Sequence, residues 1–334
     1  KDASAASIYG ARASNGVIIV TTKQGKGKVR VEFNSKTTMQ QRLREMEVLN
    51  TMERGEALWR ASVNDGTDPT AHAAIYGYDW NGDFNNPVLN SVTPVEWIGG
   101  DPSYRTKAQI PGTDWQDATF RTGWMYDNNL TISGGGETST ALLSLGYLYN
   151  KGVMEYQDFE KLTVRFNSTH QMLDGKLRVG QNLNIASTGE VPRPTDLGGA
   201  GMEYLSRGMQ PILPVYTEDG DWSGPIGAGF SDRNNPLHML YIHRNNRNTN
   251  KIVFGNVFAE ISPINNLTFR SSLGVDYTYY HNWWVEEAYQ TGFLGRSTNS
   301  LTERMGQRFN WTWSNILTYD LDLDQSMFNF LLGT

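Results

Sequence analysis

Nine segments of this chain alternate apolar and polar residues with a period of two, and that pattern limits the fold more than any other feature. Between Leu267 and Tyr280 one face carries Leu267, Phe269, Leu273, Val275, Tyr277 and Tyr279, while Thr268, Arg270, Ser272, Gly274, Asp276 and Thr278 share the other. From Arg308 onward Phe309, Trp311, Trp313, Leu317, Tyr319 and Leu321 oppose Asn310, Thr312, Ser314, Thr318 and Asp320. The same split runs through 28–39, 128–134, 140–150, 161–172, 176–187, 251–262 and 327–332. A strand places successive side chains on opposite faces, so strict alternation predicts half-buried strands rather than helices. Several segments exceed the ~5–6 residues usual in soluble sheets.

The connections sharpen the reading. Turn-like links at 134–139, 173–176, 263–266 and 322–325 alternate with long ones near 40–127, 151–160, 188–250 and 281–306. Up-and-down transmembrane barrels have short turns on one side of the membrane and long loops on the other, and a tilted strand needs ~9–11 residues to cross. A soluble antiparallel sandwich also alternates, but long loops are uncommon there and would have to recur. Aromatic residues also gather on the apolar face at strand ends: Tyr147, Tyr149, Tyr277, Tyr279, Trp311 and Trp313, with Tyr319 and Phe328 opposite, as interfacial girdles do. The expected fold is an all-β transmembrane antiparallel barrel. An odd number of strands, and an open edge with nothing to satisfy it in lipid, imply that these nine are part of a larger barrel.

Bulk composition is misleading in this setting. The chain has 334 residues, 38% hydrophobic, a mean hydropathy of −0.50 and a net charge of −6. Those figures suggest a soluble acidic protein, because hydropathy averages over both faces of each strand. The negative balance argues against nucleic-acid binding, which concentrates Lys and Arg. Zero cysteine removes disulfides, thiolate metal sites and cysteine nucleophiles. Apolar runs such as Val17–Val20 are far too short for a membrane-spanning helix. Aromatics at 12% and 34 glycines suit strands and turns.

The opening segment is of another kind. KDASAASIYGARASNGVIIVTTKQGK (1–26) reads as a short small-residue helical turn, an Asn15–Gly16 turn and a buried strand at Val17–Thr22. It resembles the signature at the end of the plug domain in the SusC/RagA family of TonB-linked outer-membrane transporters. Further stretches continue the resemblance: DWQDATFRTG at 114–123, LSLGYL at 143–148, KGV at 151–153, DFEK at 158–161, LTFRSSLGVDY at 267–277 and WSNILTYD at 313–320. The segments 41–109 and 191–250 match weakly, as specificity-setting surface loops do.

The resemblance implies a 22-strand barrel filled by an N-terminal plug. Residues 1–27 would be the plug's end, and 28–334 the first part of the barrel. It further implies a place in the outer membrane of Gram-negative bacteria of the Bacteroidetes type, surrounded by outer-membrane lipids. Active import of an oligosaccharide would be driven through the TonB–ExbB–ExbD complex, beneath a SusD-like surface lipoprotein. A peptide importer of the same family is the alternative, and a passive porin or adhesion barrel is the reading from another class. The plug signature separates importer from porin, since a porin has no plug to close. Arg12 and Asn15 are expected to hold the plug to polar lumen groups such as Arg30, Glu32 or Asp276.

No enzymatic motif appears. The five histidines lack metal spacing, and no GxSxG, GxGxxG or GxxxxGK[ST] sequence occurs. No cofactor is expected. The stretch from Asp79 to Asn85 has the oxygen-rich look of a calcium loop, but its glycine is misplaced and position 90 is Asn, so it reads as an Asx-rich turn. Loop tryptophans beside polar groups suit sugar rings, whose C–H faces stack on indole while carboxylates and amides bond the hydroxyls. Trp80, Asp83, Asp221 and Trp222 are the expected ligand contacts, with Trp97, Trp115, Trp283 and Trp284 as further loop aromatics.

Overall fold

The computed structural model describes residues 25–99, 105–194, 201–230, 232–323 and 326–334. The expected plug strand and the contacts of Arg12 and Asn15 lie outside the described residues. In chain order the strands are β1 (Arg30–Gln40), then the short hairpin pairs β2 (Tyr76–Trp80) with β3 (Leu89–Pro94) and β4 (Trp97–Ile98) with β5 (Thr106–Lys107). Next come β6 (Gly123–Gly135), β7 (Ser139–Lys151), β8 (Asp158–Met172), β9 (Leu177–Glu190), β10 (Arg247–Ile264) and β11 (Leu267–Glu286). A small pair, β12 (Tyr289–Thr291) and β13 (Leu294–Arg296), precedes β14 (Ser300–Leu323) and β15 (Ser326–Gly333). Helices α1 (Thr51–Asn64), α2 (Trp115–Thr119), α3 (Met202–Gly208) and α4 (Pro236–Ile242) lie in the long connections.

The nine alternating segments pair into one antiparallel sheet, in the order β1-β6-β7-β8-β9-β10-β11-β14-β15. This is an up-and-down meander once the loop elements are set aside. Register keeps the two faces separate across the sheet. One row reads Phe33, Leu130, Leu145, Val164, Ile185, Val253, Tyr277 and Phe309. The adjacent row on that face reads Val31, Ile132, Leu143, Phe166, Leu183, Gly255, Val275 and Trp311. Between them, on the opposite face, lie Glu32, Thr131, Ser144, Arg165, Asn184, Phe254, Asp276 and Asn310. A slip of one residue in any strand would put its apolar set in this row, polar except for Phe254, which is what pins the register.

Many apolar-face side chains face no other part of the chain, Phe33, Phe309 and Trp311 each being more than half exposed. Lipid on that face satisfies them, and water on the polar face satisfies the rest. Phe166→Arg is therefore expected to cost ~2–4 kcal/mol of folding stability in a bilayer. Thr163→Arg, on the polar face opposite Gly146, should cost little. Urea titration of the protein refolded into lipid vesicles compares the two.

The strands run further than alternation indicates. β11 has 20 residues and continues to Glu286, and β14 has 24 and begins at Ser300 rather than near Arg308. Half of the connection read at 281–306 is thus a two-stranded ladder, and Trp283 and Trp284 stand on β11 instead of in a loop. Alternation fades there because backbone pairing does not need a lipid-facing stripe beyond the membrane. Trp311 and Trp313 consequently lie mid-strand, where a strand end is expected. The connection between β7 and β8 is shorter than read, covering only 152–157.

Candidate functional site

The long connections fold into a cap with hydrophobic cores of its own. Helix α1 starts with a capping box: Asn50 accepts from the Glu53 N–H while the Glu53 carboxylate accepts from the Asn50 N–H. Its buried residues Thr51, Gly55, Trp59, Ser62 and Val63 follow helical spacing. Gly55 is required by close approach, since a Cβ there would stand 2.7 Å from Val92 Cγ1 and 2.9 Å from Tyr76 Cδ1. The first cap core joins Ile75, Tyr76, Val92, Ile98 and Trp115 of segment 41–122 to Met209, Ile212 and Leu213 of segment 191–246.

Backbone bonds tie the same two segments: Gln109 N–H donates to Ile212 O at 2.8 Å, and Thr113 N–H to Pro211 O at 2.7 Å. Trp115 Nε1 donates to Gln210 O at 3.0 Å. The second core gathers Met154, Met202, Leu205, Met239, Leu240 and Ile242, with Phe120, Tyr156, Tyr241 and Tyr289 packed against it. Four separate connections thus meet in it. Arg121 clamps the shortest of them, donating to Gly152 O and Gln157 O and pairing with Glu155 at 2.7 Å.

Asn235 and Pro236 open α4 as side-chain cap and first-turn proline. Asn235 is fully buried, and its Nδ2 donates to both Val215 O and Ser223 O at 2.9 Å. This brings the 215–223 turn onto the helix. Trp222 then stacks on His238 at 5.0 Å between centroids and also meets Tyr216 and Tyr241. Tyr156 packs edge-on against Tyr241, and the Arg244 guanidinium lies 3.6 Å from that ring's centre. Burial holds the His238 imidazole down at about 4, with nearby His243 adding to the effect. His243 is also lowered, chiefly by burial. Burial raises the Tyr156 and Tyr216 phenols.

A cleft of about 610 Å³ opens where β7, β8, β9, β10 and β11 reach the cap, lined by Asn150, Gln157, Phe159, Glu190, Asn248 and Trp284 among others. Asn150, Phe159, Glu190 and Asn248 form a single cross-strand row on the polar face of the sheet. Asn248 Nδ2 donates to Glu190 Oε1 at 3.2 Å.

The expected ligand residues divide into two places. Trp80 and Asp83 sit at the tip of the β2–β3 hairpin, where Trp80 packs edge-on against Trp59 and Phe84. Asp221 and Trp222 form the turn described above, with Trp222 half-buried and Asp221 exposed. The ring contacts of the two tryptophans share no member. Asp79–Asn90 is an Asx network: Asn81 Oδ1 accepts from the Asp83 and Val88 N–H groups, and Asp83 Oδ1 from the Asn85 N–H. Trp115 is a core residue at 2% exposure. Trp97 carries the Arg105 guanidinium 4.2 Å above its ring. Sequence reasoning missed Tyr216, His238 and Tyr241 as neighbours of Trp222, and the cross-strand row that lines the cleft. The Asn235–Pro236 pair that opens α4 is the one sequence signal that could have located the first group.

No family model matches the chain. Among curated proteins it is 25% identical over 356 residues to the TonB-dependent receptor SusC of Bacteroides thetaiotaomicron, covering 100% of this chain and 31% of that protein. It is likewise 25% identical to the TonB-dependent receptor P26 of Formosa agariphila, covering 98% of this chain and 29% of that one. The chain thus spans about a third of the length of these relatives. Among solved structures it is similar to the RagAB peptide importer in its open-open state, with a TM-score of 0.74, 23% identity, and coverage of 100% and 37%. The closed-closed state gives 0.71 at 21% identity, covering 98% and 36%. The resemblance to TonB-dependent receptors of the SusC/RagA kind carried by the sequence motifs is therefore present along the whole chain, and its fold is a section of their barrel wall.

Proposed function

We propose that this chain forms part of an outer-membrane importer that takes up an oligosaccharide, with energy supplied through TonB and a SusD-like lipoprotein seated over the external loops. The observation that carries this reading is a two-faced sheet whose polar face leads up to a polar cleft where the strands meet a folded cap. A passive porin needs a water-filled lumen but no such cap. Likeness to SusC and the other TonB-dependent receptors supports energised import. A peptide cargo is the second reading, because the similar solved structures are of a peptide importer.

Uptake of a fluorescent oligosaccharide by intact cells tests the proposal. Import is expected to need the intact receptor, to stop when TonB is deleted, and to stop when a protonophore collapses the inner-membrane gradient. Uptake indifferent to both treatments would mean passive flow and would overturn the energised reading. Uptake of labelled peptides instead of sugars would move the protein to the second reading.

A further inference from the structure

We propose that the cleft at the head of β7–β11 is a subsite for an uncharged sugar ring and disfavours acidic saccharides; this rests on the import reading above and narrows its substrate class. The charged groups around the cleft already have partners. Asp158 faces Arg247 at 3.5 Å, Arg193 pairs with Glu203 at 2.7 Å, and Glu190 accepts from Asn248. A uronate or sulfate entering here would compete with Asp158 and Glu203 for the same two arginines and would set its own charge beside the Asp158 and Glu190 carboxylates. Burying an unpaired charge is far costlier than burying a hydroxyl that finds a partner.

What the cleft leaves open is neutral. Asn150 Oδ1 and Gln157 Nε2 are shielded from water and have no hydrogen-bond partner among the described residues. A buried, unsatisfied amide costs ~1–3 kcal/mol, so each is an anomaly that a ligand can relieve. One is an acceptor and the other a donor. A sugar hydroxyl offers both functions at a single oxygen, and the flat terminal torsions of Asn and Gln let either amide turn toward the opening. Trp284, half-buried with one contact to the His243 ring at 5.1 Å, adds an indole to the same lining. Ring C–H groups stack on such a surface.

Calorimetric titration of the full-length receptor in detergent tests the proposal, using neutral pentaoses of glucose, mannose and xylose against a pentameric oligogalacturonate. At least one neutral pentaose is expected to bind, and the acidic pentamer to bind more weakly than it. Asn150→Ala and Gln157→Ala should each weaken that binding about five- to tenfold, the equivalent of one hydrogen bond, without lowering thermal stability. Trp284→Phe keeps a ring against His243 and should weaken it less than Trp284→Ala. The proposal is overturned if no neutral pentaose binds, if the acidic pentamer binds more tightly, or if neither amide substitution alters the affinity. TonB-dependent uptake measured in cells carrying the same variants keeps the two claims apart: energised uptake alongside any of those results removes the subsite and leaves the importer standing.

Discussion

Replacing Trp115 by Ala is expected to unfold the loop cap while the nine-stranded sheet survives. The indole is almost fully buried in the core joining segments 41–122 and 191–246. Truncating a buried tryptophan costs ~3–5 kcal/mol, and the loss of its N–H leaves Gln210 O without that partner. A surface subdomain has only a few kcal/mol of local stability, so a loss of this size populates its open form. Limited proteolysis should cut the variant within 41–122 or 191–246 at rates raised a hundredfold or more. Circular dichroism should retain the β-signal, because no row of the sheet passes through Trp115. Protease resistance equal to wild type would show that this core does not hold the cap together.

The second large effect concerns acidity. An ordinary histidine titrates near 6.5, whereas burial holds His238 at about 4. Between those values an unfolded cap takes up a proton that the folded cap refuses, so protons favour unfolding. The His238 contribution is fully present above about pH 6.5 and falls away as the pH drops toward 4. A shift of this size corresponds to on the order of 2–3 kcal/mol across the window. His243 acts in the same direction, although its bond to Met239 O and the nearby Glu286 and Glu287 offset part of its burial. Cap protease resistance should therefore be some tens of times lower, roughly 20- to 100-fold, at pH 4.5 than at pH 7. His238→Gln should flatten most of that dependence. A wild-type cap equally resistant at both pH values contradicts the assignment.

Sequence legibility followed the physics of each region. All nine barrel strands stood out because lipid on one face and water on the other impose strict alternation. Their ends were harder to place: toward Glu286 the β11–β14 ladder meets the cap, where Trp284 packs on His243 and the Val285 N–H donates to Asn246, and Trp283–Trp284 breaks the pattern without breaking the pairing. The cap was nearly opaque. Its cores draw on residues such as Ile75, Trp115, Met154, Leu213 and Met239, distant in sequence and short on periodicity. Trp80 and Trp222 were singled out as lone aromatics next to carboxylates, yet each packs within its own aromatic group. The cleft residues Asn150, Glu190 and Asn248 looked like ordinary polar-face residues. Only strand register places them in one row.

The second cap core also bears on how such a chain can be re-engineered or can diversify. Because Phe120, Met154, Tyr156, Leu240 and Tyr289 come from four different connections and share one apolar interior, these loops are not interchangeable modules. Transplanting a single loop from a relative would set foreign side chains against three unmatched surfaces. A folded cap should carry over between relatives only when all four are exchanged as a set.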